Sequence, residues 1–114
     1  MIRATILHSN SGMAVGFTVT NHGDPKVCAA VTALVINTID CIHKLCAVPE
    51  DDVSCEIHDG SVVFALKRAS QRTPQVGLML DSLVIALSNL SRQFPKDVLF
   101  DSRAISSFNS SNRK

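Results

Sequence analysis

Thr18-Val19-Thr20-Asn21-His22-Gly23-Asp24-Pro25-Lys26-Val27-Cys28-Ala29-Ala30-Val31-Thr32 is the stretch that decides how this chain folds. It starts as a β-branched strand, breaks at Asn21-His22-Gly23 and runs into an apolar helix. Asp24 before Pro25 reads as an N-cap followed by the first helical residue. Cys28 then falls in or just after the first helical turn, where the positive end of the helix dipole favours thiolate over thiol. His22 lies six residues upstream, at the strand end from which an imidazole reaches the thiol. A cysteine with an imidazole in reach is the minimum constellation for nucleophilic acyl transfer. The backbone N–H groups around Val27 and Cys28 are the candidate oxyanion donors. The competing reading of Cys28 is a small core hydrophobe, because it continues the Val31, Val35 stripe. Asp24 either orients His22 or caps the helix, and capping is the simpler role, since an anion beside the thiol opposes its ionisation.

Working outward, Arg3–His8 and Ala14–Thr20 read as an antiparallel pair around the Asn10-Ser11-Gly12 turn. The helix carries Val27, Val31, Leu34, Val35, Ile39, Ile42 and Leu45 at helical spacing and is expected to run to Val48, before Pro49. Ala30, Ala33 and Ile36 widen its apolar surface beyond one stripe, so a second helix or a second subunit must cover it. Val53–Ile57 and Ser61–Lys67 flank an Asp59-Gly60 hairpin turn. Thr73-Pro74 opens a second helix with Val76, Met79, Leu80, Leu83, Val84, Leu87 and Leu90 on its buried face. Val98-Leu99-Phe100 is a short last strand. The order β-β-α-β-β-α-β predicts an α+β domain over 1–101: one mostly antiparallel sheet with both helices packed on one face. Residues 102–114, rich in serine and asparagine, read as a polar, flexible tail.

Composition narrows the function. The chain has 114 residues, a net charge of +1 and neither tryptophan nor tyrosine. That leaves no electrostatic or stacking argument for nucleic acid. The first helix is apolar, but Lys26, Asn37, Asp40, His43 and Lys44 interrupt it, which argues against a membrane span. Met1–His8 is too short and polar for a signal peptide. Four cysteines without a C-x-x-C pair fit free thiols in a reducing cytoplasm. Cys41, His43, Cys46, Cys55 and His58 invite a zinc reading, but Cys55 and His58 point to opposite faces of a strand, and the expectation is no metal. Arg68, Arg72 and Arg92 are scattered basics of a solvated surface.

The central stretch also resembles the ribosomal-processing cysteine protease family, Prp. Asn21-His22-Gly23 stands where the family has Gly-His-Ala, and Lys26-Val27-Cys28-Ala29-Ala30-Val31-Thr32 where it has its Val-Cys-Ala-Ala-Val block. Leu80-Asp81-Ser82-Leu83-Val84-Ile85-Ala86-Leu87 is similar to the family's second helix, so the resemblance reaches about Phe100. It implies the same fold and a cytoplasmic thiol endopeptidase, with Cys28 as nucleophile and His22 as base. Thr32 holds the family's hydroxyl position. Ala29 and Ala30 leave room for a substrate chain. It further implies a homodimer with no cofactor, and, as partner, a peptide segment: the N-terminal extension of large-subunit ribosomal protein twenty-seven. The loop between His22 and Cys28 is shorter than the family's and lacks its extra glycines. Pro25 replaces the aspartate three before the cysteine, with Asp24 one place earlier. This stiffer loop motivates the alternative, a ribosome-associated binding or assembly module of the same fold with weak or lost activity.

Overall fold

Alternating apolar residues build two adjacent strands, β1 (Ile2–His8) and β2 (Ala14–Thr20), paired antiparallel with Ala4 opposite Val19 and Ile6 opposite Phe17. The computed structural model describes residues 1–106. After β2 come α1 (Pro25–Lys44), a 3-10 turn (Glu50–Asp52), β3 (Val53–His58) and β4 (Ser61–Leu66). A second 3-10 turn (Ala69–Gln71), α2 (Pro74–Gln93) and β5 (Val98–Ala104) follow. The sheet order is β3-β4-β2-β1-β5. All neighbours are antiparallel except β1 and β5, which run parallel. The α+β architecture is thus the expected one, with α1 and α2 serving as the two crossovers.

Because strand side chains alternate, one face of the sheet collects Ile2, Ala4, Ile6, Val15, Phe17, Val19, Phe64, Leu66 and Val98. Val27, Val31, Val35, Ile39 and Ile42 of α1, and Val76, Leu80, Leu83 and Leu87 of α2, complete the same core. At its centre Phe17 and Phe64 stack with ring centroids 5.3 Å apart. α1 is long and apolar enough to cross a membrane by length and composition, yet this stripe is packed against the sheet. Ala29, Ala30 and Ala33 stay exposed, and Cys28 and Leu34 are half-buried at the core's margin.

Two boundaries differ from expectation. α1 stops at Lys44 rather than Val48. The Leu45 and Cys46 N–H groups both return to the Cys41 carbonyl, Ala47 adopts a left-handed φ of 55°, and Val48 N–H donates to Ile42 O at 3.3 Å. Leu45, expected on the buried stripe, is 76% exposed as a result. At the other end, residues 102–104, expected to open the tail, continue β5: Ser102, Arg103 and Ala104 pair with Ile6, Leu7 and His8. On the sheet face away from the helices, Asp101 accepts from Thr5 Oγ1 at 2.6 Å and from Arg3 at 2.8 Å, tying β5 to β1. Partial burial works to raise the Asp101 carboxyl. The Thr5 and Arg3 hydrogen bonds and the charges of Arg3 and Arg103 outweigh it and hold the group below the usual carboxylate range. The rest of the predicted tail, from Ser107, lies outside the described residues.

Candidate active site

Three segments distant in sequence meet at one end of the sheet. β2 and β4 pair as far as Thr20 and Ser61. The next residue, Asn21, turns left-handed (φ 71°) and donates its N–H to Gly60 O at 2.9 Å. This throws His22 off the sheet beside the β3–β4 hairpin tip. The Met1 amino group donates to the His22 carbonyl at 2.9 Å. Gly23 then passes close to β1 and the start of β5: a Cβ there would lie 3.2 Å from Asp97 O and 3.3 Å from Ile2 Cγ1.

α1 begins as the sequence dictates. The Asp24 carboxylate accepts Lys26 N–H at 2.9 Å, so Asp24 is the cap, and its own N–H donates to Asp97 Oδ1 at 3.4 Å. The Cys28 N–H donates to Asp24 O at 2.8 Å. That bond corrects the expected oxyanion donors. Counting from the cap, Pro25 has no N–H, Lys26 is taken by the cap and Cys28 makes the first intrahelical bond. Val27 N–H is the first-turn donor left over.

Cys28 Sγ stands 3.8 Å from His22 Nδ1. The other ring nitrogen, Nε2, faces Asp59 Oδ1 at 4.0 Å. Both groups open on a cleft of about 190 Å³ whose apolar floor includes Ile2, Val19, Val31, Ile36 and Val62. Thr32, His58 and Asp59 stand on its polar side. A space of that size takes one side chain rather than a drug-sized molecule, for which pockets run about 300–1,000 Å³.

The sequence-predicted residues therefore divide. His22, Cys28 and Thr32 come together, and Asp24 sits at the helix head as its cap. Ala29 and Ala30 do not line this cleft. Ala30 faces a separate hollow with Phe94 and Asp97. Asp59 and Gly60, read only as a hairpin turn, are the residues that sequence reasoning missed. The one signal was the Asp-Gly turn itself, and nothing local told that its tip would meet His22. The zinc candidates are dispersed. His43 Nδ1–H donates to Val48 O at 2.7 Å, the Cys41 thiol donates to Asn37 Oδ1 at 3.9 Å, and partial burial, then the charge of Glu50, pushes the Cys55 thiol up. Among the described residues no three His, Cys, Asp or Glu side chains gather as metal ligands.

An α+β domain that sets a free thiol and an imidazole at the head of its first helix has the layout of a cysteine hydrolase. The model of the family described as cysteine protease Prp matches residues 1–99, and the chain belongs to that family. The fold agrees. The Staphylococcus aureus ribosomal processing protease Prp with a substrate peptide superimposes with a TM-score of 0.79 at 14% identity, covering 90% of this chain and 100% of that one. The same protein with a covalently linked product peptide gives 0.75 at 14% identity and the same coverage. SMU.848 from Streptococcus mutans gives 0.76 at 22% identity, covering 91% of this chain and 98% of that one. No curated protein sequence matches.

Proposed function

We propose that this member of the Prp family is a cytoplasmic endopeptidase that removes the N-terminal extension of large-subunit ribosomal protein twenty-seven. The observation that carries the reading is the 3.8 Å approach of His22 Nδ1 to Cys28 Sγ inside the cleft. His22 takes the thiol proton as the Cys28 sulfur bonds to the scissile carbonyl carbon, and gives it to the amine nitrogen as the C–N bond breaks, leaving a thioester. Water then attacks the thioester carbonyl, giving a proton to His22; the C–S bond breaks, the acid product leaves and the His22 proton returns to sulfur. Catalytic contacts of this kind tighten to about 3 Å when substrate binds. Thr32, on the same side of α1, contacts the bound chain. The exposed Ala29, Ala30 and Ala33 side of α1 is where a second copy packs, giving a homodimer.

The test is a peptide spanning the extension and the first mature residues of that ribosomal protein, incubated with the purified chain. Cleavage at one bond, lost in Cys28→Ser and in His22→Ala, is the expected result. The two losses do not add, because both residues serve one step. Sedimentation at micromolar concentration is expected to give the dimer. A second reading draws on the loop. Pro25 and the two hydrogen bonds of Asp24 fix it at the helix head. If the wild type binds the peptide without cutting it, and Cys28→Ser binds equally well, the protein is a binding or assembly module.

A further inference from the structure

The β3–β4 hairpin ends on Asp59-Gly60, and the His22 ring lies against that tip. Gly60 has a left-handed φ of 75°, and a Cβ on it would come 2.7 Å from His22 Nε2 and 3.4 Å from both Cδ2 and Cε1. The Gly60 carbonyl accepts the Asn21 N–H at 2.9 Å, so the tip and the residue before His22 are one unit. The Asp59 carboxylate stands 4.0 Å from Nε2, the nitrogen directed away from Cys28. Absence of a side chain at residue 60 and presence of a carboxylate at 59 both act on the same ring atom.

We propose that this tip is the positioning device for His22, with Gly60 seating the ring and Asp59 selecting its tautomer. The proposal rests on Cys28 and His22 being the reacting pair. A neutral imidazole has one donor and one acceptor nitrogen, and a carboxylate accepts only. With the proton on Nε2, the N–H faces Asp59 and the Nδ1 lone pair faces the thiol, ready to accept its proton. With the proton on Nδ1, a lone pair faces the carboxylate and the thiol loses its base. The other titratable groups around the ring are the Met1 ammonium on its carbonyl, Asp24 in the same loop, Cys28 on α1 and His58 on β3. Asp59 is fully exposed, so its effect is that of a surface charge, about two- to fivefold in rate.

The test uses the full chain labelled with 15N in histidine, together with the rate at which iodoacetamide alkylates Cys28. Long-range proton–nitrogen correlation is expected to show His22 with Nε2 protonated. In Asp59→Ala the share of that tautomer falls and alkylation slows about two- to fivefold. Asp59→Glu restores both. An unchanged tautomer ratio in Asp59→Ala overturns the role of Asp59, whether or not the protein cuts peptides. A tautomer bias that responds to Asp59 in a protein that never cleaves sinks the endopeptidase reading and leaves the positioning intact. Gly60→Ala tests the seat. It is expected to slow alkylation about tenfold or more, as a ring displaced by a fraction of an ångström does. Gly12→Ala is the control: φ is 84° there and nothing lies within 4 Å. It carries the same backbone strain without the collision, and alkylation stays at the wild-type rate. Equal effects of the two glycine substitutions overturn the seat.

Discussion

α1 and α2 both open with a capping residue and a proline, Asp24-Pro25 and Thr73-Pro74, and both caps accept a first-turn N–H through a side-chain oxygen. In both, the fourth helical residue makes the first intrahelical bond at 2.8 Å, Cys28 to Asp24 and Gly77 to Thr73. The side chains at that position then part company. Cys28 opens on a cleft beside an imidazole. Gly77 is buried under a guanidinium, and a Cβ there would lie 2.6 Å from Arg72 Nη1. Arg72 in turn donates to Ala14 O at 2.7 Å and to Asp81 at 2.9 Å, closing the head of α2 onto β2. Capping chemistry decides where a helix starts. What the rest of the fold lays beside that start decides whether it opens on a cleft or is sealed.

The largest effect that sharpens this contrast is Cys28→Ser. Peptide cleavage is expected to drop by on the order of 10⁴-fold or more with the thermal melt unchanged. A collapsed melt would instead make the thiol a packing group, and the two heads would be alike. Next comes Arg72→Ala, which removes charged hydrogen bonds to Ala14 and Asp81. Urea denaturation should show a loss of about 1.5–3 kcal/mol, while Cys28 alkylation is unaffected. Asp24→Ala and Thr73→Ala are expected to cost about 1 kcal/mol each, but only Asp24→Ala changes the alkylation rate of Cys28. A matching change in Thr73→Ala would break the comparison. Smallest is the ranking of thiols. Burial and the charge of Glu50 push the Cys55 thiol up from its ordinary range, so less of it is thiolate at neutral pH. Iodoacetamide at neutral pH should label Cys28 ahead of Cys55, and the gap should narrow as the pH climbs into the alkaline range where Cys55 ionises.

Much of this was legible because it is local. Each Asp/Thr-Pro pair announces its helix, the Ala14–Thr20 alternation announces its strand, and Asp59-Gly60 announces its hairpin. The end of α1 was not legible. Leu45, Cys46, Ala47 and Val48 continue an apolar run without the glycine that usually marks a left-handed turn, and a side-chain bond from His43 helps to hold it. The length of β5 was hidden as well. Ser102-Arg103-Ala104 has a tail's composition and becomes strand only because β1 offers a parallel edge. At the site, residue types and spacing pointed to His22 and Cys28. The same cap makes Cys28 the fourth helical residue, whose N–H is committed to Asp24 O and is not a free donor. Asp59 and Gly60 escaped because their relation to His22 runs through the pairing of β2 with β4, which no single window of sequence contains.

That pairing has a consequence in time. Synthesis proceeds from the N-terminus, so His22 and Cys28 are made and released well before Asp59 and Gly60. A partly made chain carries a thiol and an imidazole, but nothing yet clamps Asn21 or seats the ring. The Gly60 carbonyl and the Gly60 face of the ring are in place only once β4 has docked on β2. The Asn21 clamp and the contact of the His22 ring with Gly60 therefore form only after the chain is past its midpoint.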